Sequence, residues 1–143
     1  MNAIKILFSV FFATTLMVTQ VFAAAESASK GIDLTGKYEC SGANSDGSSS
    51  YSSPLEIKKH GDFYSFQWLS NETGFPTDVG TGIFNSDVPN SIAVAFRDTK
   101  NEKSIAVVFY QIKADGSLHG NWAFLGNKTG GNETCKPSKE KTA

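Results

Sequence analysis

The chain of 143 residues is poor in the residues that build metal and redox centres, with two cysteines and two histidines. Two thiols are too few for a disulfide-dense miniprotein or for a zinc site of four thiolates. They form no C-x-x-C pair, and His60 and His119 sit on separate segments without ligand spacing. No H-E-x-x-H, P-loop or Rossmann glycine pattern occurs, and no serine stands in a nucleophile elbow. An excess of charge is missing too: 13 basic and 14 acidic side chains leave a formal charge of −1, with no electrostatic footprint for nucleic acid. Glu39, Glu56, Asp62, Asp98 and Asp115 fall on outward faces or turns, away from a paired-carboxylate site. Together these absences point to a protein without catalysis, cofactor or metal. Helical 3,4 spacing is also lacking, so there is no crossover helix to support a parallel sheet.

Hydrophobic sequence is concentrated at the start. Lys5 precedes the apolar run Ile6–Val18, and Thr19-Gln20-Val21-Phe22-Ala23 follows it. This is the pattern of a secretory signal peptide over residues 1–25, cleaved after Ala23 or Ala25. The run is shorter than the ~20 residues that span a bilayer, so no stable membrane anchor is expected after cleavage. No cysteine follows the cleavage region to carry a lipid. The mature chain, with Lys5 gone, has a formal charge of −2. A periplasmic or secreted location is expected. Residues 26–33 read as a disordered leader and 137–143 as a charged, solvated tail.

Eleven Phe, four Tyr and two Trp weight the remainder towards β structure. Period-2 alternation recurs through residues 34–136. It predicts strands over Leu34–Ser41, Tyr51–Lys58, Phe63–Leu69, Val79–Phe84, Ser91–Arg97, Ile105–Ile112, Leu118–Phe124 and Gly131–Lys136. Pro54 predicts an edge position or a bulge. Ile105–Ile112 is apolar on both faces and reads as the most deeply buried strand. Asp115-Gly116 is a strong hairpin signal. The expected fold is all-β: an antiparallel eight-stranded meander closing into an up-and-down, calycin-like barrel.

Cys40 falls on the first predicted strand and Cys135 on the last. In an exported chain such a pair is oxidised by default. A bridge needs Cα atoms within about 7 Å, so the first and last strands must be neighbours, as barrel closure makes them.

Several segments resemble known families. Gly36-Lys37-Tyr38-Glu39-Cys40-Ser41-Gly42, Tyr110–Trp122 with its D-G-x-L-x-G-x-W core, and Gly130-Gly131-Asn132-Glu133 are similar to segments of small exported bacterial proteins commonly labelled fibronectin-binding. That resemblance implies a β fold and an exported binding protein. Leu34-Thr35-Gly36-Lys37-Tyr38 resembles the L-T-G-x-W start of avidin-like barrels, which hold a small ligand at one mouth. Tyr38-Glu39-Cys40 with Cys135 resembles periplasmic inhibitors of C-type lysozyme, which join an early Y-x-C strand to a terminal cysteine.

Three functions follow as expectations. The first is an exported module recognising a host or envelope macromolecule through the polar stretch Gly42–Ser53, with Asn44, Ser45, Asp46, Ser48 and Tyr51 as candidate contacts. The second is a carrier of a small apolar ligand, with Tyr38, Tyr64, Phe66, Trp68, Phe96, Tyr110, Trp122 and Phe124 as candidate lining residues. In that reading Gly36, Gly80, Gly82 and Gly120 leave space inside. The plainer reading is that the same aromatics fill a small barrel. The third is a periplasmic inhibitor of a cell-wall hydrolase such as lysozyme. Arg97, the only arginine, is expected to pair with Asp98 or cap the barrel.

Overall fold

The computed structural model describes residues 31–128 and 130–139. The expected signal peptide, most of the leader and the end of the tail lie outside these residues. Eight strands follow in order: β1 (Gly36–Asn44), β2 (Ser50–His60), β3 (Phe63–Leu69), β4 (Pro76–Phe84), β5 (Ser91–Asp98), β6 (Ile105–Ile112), β7 (Leu118–Phe124) and β8 (Gly130–Pro137). Each pairs antiparallel with the next, and β1 pairs with β8, so the sheet is a closed barrel. Closure leaves no sheet edge unpaired. No helix among the described residues is long and apolar enough to cross a membrane.

The period-2 pattern determines which side chains point inward. Tyr38 and Cys40, Leu55 and Ile57, then Tyr64, Phe66 and Trp68 are buried on successive strands. Ile92 and Val94, Val108 and Tyr110, then Leu118 complete the core. Turn chemistry agrees with the sequence. Gly61 (φ 61°) turns β2 into β3. Gly116 (φ 79°) turns β6 into β7, where Asp115 Oδ1 accepts from the Ser117 N–H (3.0 Å) and hydroxyl (2.6 Å).

Cys40 and Cys135 are directly opposite in the β1–β8 register and form a disulfide, with Sγ atoms 2.05 Å and Cα atoms 3.9 Å apart. It closes 95 residues of chain. On the chain-entropy model a loop of that length stabilises the fold by about 4–5 kcal/mol. Both cysteines are buried, so the bridge lies on the inner wall of the barrel.

Several details differ from the sequence reading. β6 is not buried on both faces: Ile105 (43 %), Val107 (58 %) and Phe109 (43 %) are exposed. A barrel strand has one inner and one outer face, and no second layer among the described residues covers this one. Pro54 does not lie on a sheet edge, since none exists. It stands opposite Glu39, one residue outside the β2–β3 ladder that begins at Leu55–Trp68. The register irregularity lies instead at Trp68/Leu69, against β4. Arg97 does not pair with Asp98: its Nη1 is 2.8 Å from Oε1 of Glu102, in the β5–β6 connection. β1 runs to Asn44 and β4 starts at Pro76, so Gly42 and Asp78 belong to the sheet. The ordered chain also extends past the expected limits. Ile32 packs on the core, and the Ser138 N–H donates to the Lys37 carbonyl (2.8 Å).

Candidate functional site

The two ends of the barrel are built differently. At the end where β1 begins and β8 ends, the segment before β1 crosses the opening. Leu34 is buried there, the Tyr38 hydroxyl donates to the Leu34 carbonyl (3.1 Å), and the Tyr64 hydroxyl donates to the Ile32 carbonyl (3.4 Å). The Tyr64 ring meets Phe84 edge-on at 5.5 Å. These contacts form a plug.

The opposite end is ringed by the β1–β2, β3–β4, β5–β6 and β7–β8 connections. Below it lies a cavity of about 520 Å³. Its walls are Trp68, Phe96, Val108, Tyr110, Trp122 and Phe124, with Tyr51, Asp78 and Glu133 among its polar groups. The aromatic rings touch one another around the wall: Trp68–Phe96 at 5.0 Å, Phe96–Phe124 at 6.0 Å and Trp122–Phe124 at 5.7 Å.

At the floor of the cavity is Glu133 of β8, only 4 % exposed. Its Oε2 accepts from the Tyr51 hydroxyl (2.9 Å). Its Oε1 accepts from Trp68 Nε1 (3.2 Å) and from the Tyr110 hydroxyl. The register explains how two tyrosines two strands away reach it. Glu133 is flanked by Gly42 of β1 and Gly120 of β7. Beyond each glycine stands a tyrosine: Tyr51 opposite Gly42, and Tyr110 opposite Gly120. A Cβ at Gly42 would overlap the Tyr51 ring, and one at Gly120 the Tyr110 ring. Each glycine lets a tyrosine lie flat across its strand and deliver a hydroxyl to the carboxylate.

Burial raises the Glu133 pKa above the usual carboxylate value, and the hydrogen bonds from Tyr110, Trp68 and Tyr51 oppose that shift. Burial likewise raises the pKa of Tyr110 and of Tyr51, with the Glu133 charge adding to both. Asp78, half-buried on the same cavity, is raised first by burial and also by the neighbouring Asp98 charge. Trp122 Nε1 is buried without a hydrogen-bond partner among the described residues. It lies close enough to the Tyr51 hydroxyl to oppose that group's upward shift, yet misses hydrogen-bond geometry. Cys40 Sγ, Cys135 Sγ and a Glu133 oxygen also lie together. The two sulfurs are bonded to each other, so the carboxylate alone could ligate a cation there.

Of the candidate lining residues, Trp68, Phe96, Tyr110, Trp122 and Phe124 line this cavity, whereas Tyr38 and Tyr64 build the plug. Phe66 stacks on Tyr110 (6.3 Å) in the core between them. The inward glycines were expected to leave empty space, and three do not. A Cβ at Gly80 would meet the Ala95 carbonyl oxygen and the Phe96 Cβ; one at Gly82 would meet the Phe66 ring and one at Gly120 the Tyr110 ring, so the last two glycines seat rings. Gly36 has open space around it and lies outside the cavity.

The candidate interface stretch forms a compact turn. Asn44 Nδ2 donates to Ser48 Oγ (2.9 Å) and Ser49 Oγ (2.8 Å), and Asp46 Oδ1 accepts from the Ser48 N–H (2.9 Å). The Ser45 N–H donates to the Gly130 carbonyl (2.9 Å), and Tyr51 reaches in to Glu133. Glu133 and Asp78 are the polar site residues that sequence reasoning missed. The parity of β8 carried the signal for Glu133, because it shares the face of Cys135 two residues on. Compared with protein-family models and with curated proteins, the chain matches none.

Proposed function

We propose that the protein is an exported, non-catalytic binding protein that holds a small organic molecule in the open end of its barrel. The observation carrying this reading is the cavity of about 520 Å³, walled by aromatic rings and floored by a few convergent polar groups. Its volume is typical of small-molecule sites, and its combination of apolar walls with sparse polar contacts is what such sites use to orient a ligand. The signal-like start of the sequence and the disulfide support a periplasmic or secreted location. Two features favour the interior over the Asn44–Ser49 turn: that turn's side chains are bonded to one another, and Tyr51 points inward.

Native mass spectrometry of the protein isolated without denaturation tests this reading. A bound species should appear as a mass in excess of the processed, disulfide-bonded chain. Its removal should change the fluorescence of Trp68 and Trp122. A native mass equal to that of the bare chain, with emission unresponsive to any small molecule in a broad panel, overturns it.

A second reading has one observation of its own. Ile83, Ile105, Val107 and Phe109 expose an apolar strip on the outer face of β4–β6, a feature that often marks a protein contact. Recognition of a macromolecule on that wall predicts that Val107→Lys abolishes partner capture while ligand binding inside the barrel persists.

A further inference from the structure

We infer that the ligand is an organic cation whose ammonium group pairs with Glu133 at the floor of the cavity. This inference rests on the small-ligand reading and narrows it to one chemical class.

The first argument is a count of acceptors. An ionised carboxylate has about four lone-pair sites. Among the described residues, Oε1 of Glu133 accepts from Trp68 and Tyr110, whereas Oε2 accepts from Tyr51 alone. The unfilled site is therefore on Oε2, on the residue that floors the cavity.

Charge gives the second argument. Glu133, Asp78 and Glu72 all line the cavity, and no lysine, arginine or histidine does so among the described residues. A buried carboxylate without a counter-ion is costly, and an incoming cation relieves that cost. A ligand anion would face three acids. A wholly apolar ligand would leave the second acceptor site of Oε2 unused and the Trp122 Nε1–H unmatched.

The third argument is the wall itself. Trp68, Trp122, Tyr110, Phe96 and Phe124 line the same cavity as the carboxylate, and aromatic rings attract a cation with their faces and accept its hydrocarbon part. The unpartnered Trp122 N–H adds a preference for a hydroxyl, ether or carbonyl oxygen on that part.

Proton balance follows from the same geometry. The groups facing Glu133 are Tyr51 on β2, Trp68 on β3, Asp78 on β4 and Tyr110 on β6, with the Cys40–Cys135 bridge beside it. None of them carries a positive charge that could act as counter-ion to the carboxylate. When the empty site holds a proton on Glu133, arrival of an ammonium ion drives that proton to solvent. The carboxylate and the ligand cation then form the pair.

Three probes of similar size separate the possibilities: phenethylamine, phenethyl alcohol and phenylacetate, titrated against the full mature protein by Trp fluorescence and calorimetry. The amine should bind about tenfold more tightly than the alcohol, the scale of a hydrogen bond to a charged group, and phenylacetate should bind most weakly. Glu133→Gln should remove the amine's advantage while the alcohol still binds. Asp78→Asn, at a half-buried position, should reduce the advantage with little effect on folding. Acidification should weaken amine binding as Glu133 takes up its proton, with phenethyl alcohol unaffected. If the alcohol binds as tightly as the amine, or if both variants keep the amine preference, the inference falls and the small-ligand reading stands. If none of the three probes binds and native spectra show no adduct, both fall.

Discussion

At the end of the barrel where the chain enters, Tyr38 and Tyr64 donate their hydroxyls to backbone carbonyls of the segment that crosses the opening. At the other end, Tyr51 and Tyr110 donate theirs to a carboxylate. A buried tyrosine needs a partner for its hydroxyl in either place. A carbonyl is neutral, so using it closes the structure without an ionisable acceptor. Glu133 is ionisable. It also keeps acceptor capacity once its donors are satisfied. One end therefore contributes stability, while the other holds a polar group in readiness beside an open cavity.

The largest expected effect removes what both ends share. Replacing Cys40 and Cys135 together by serine should cost about 4 kcal/mol or more by urea denaturation, because β1 and β8 lose their covalent closure. A loss below about 1 kcal/mol would mean that strand pairing alone closes the barrel.

Truncation should then separate the ends. Tyr64→Ala at the plug should cost about 3–5 kcal/mol, as for other large buried aromatics. Phe124→Ala borders existing empty space and should cost about 1 kcal/mol, since little new cavity forms. Equal losses would erase the distinction between a packed end and an open one.

A smaller effect tests the glycine seats. Gly120→Ala should cost about 1–3 kcal/mol by forcing the Tyr110 ring off its place. In a Tyr110→Ala background the same change should cost little, and a double-mutant cycle measures the difference. Additive losses would show that Tyr110 does not depend on Gly120.

The smallest effect is in the pH dependence. Glu133 keeps its proton to higher pH in the folded barrel than in the unfolded chain, because burial raises its pKa. Its contribution to stability is complete below the unfolded carboxylate range, about pH 4, and falls as pH rises through the raised value. Asp78 acts in the same direction. The turn residues Asp33, Asp46 and Asp115, lowered chiefly by hydrogen bonds from Thr35, Ser48 and Ser117, act oppositely as pH falls into the acid range. Urea midpoints measured from mildly acidic to neutral pH should therefore decline in the parent and flatten in Glu133→Gln. An unchanged slope in the variant would remove Glu133 as the source.

Much of this architecture was legible from alternation alone. Tyr64, Phe66 and Trp68, or Ile92, Val94 and Phe96, could share a face only on extended strands. The two cysteines required the first and last strands to meet. The candidate site was legible in its walls but not in its floor. Glu133 follows two glycines in a short terminal strand, where turn chemistry draws the eye from parity. Asp78 precedes the point at which β4 becomes apolar. The outer face of β6 was misread because an apolar run looks the same under a second layer and under solvent.

The sequence by itself determined the strand count, the inward residues and the covalent join, since each depends on spacing along one chain or on the chemistry of two thiols. Only the tertiary structure decided what the glycines do and where the buried charge sits. A glycine's neighbour across the sheet sets whether it leaves a void or seats a ring, and that neighbour is fixed by register. In the same way Tyr51 and Tyr110, far from Glu133 in sequence, converge on it because barrel closure sets them two strands away on either side.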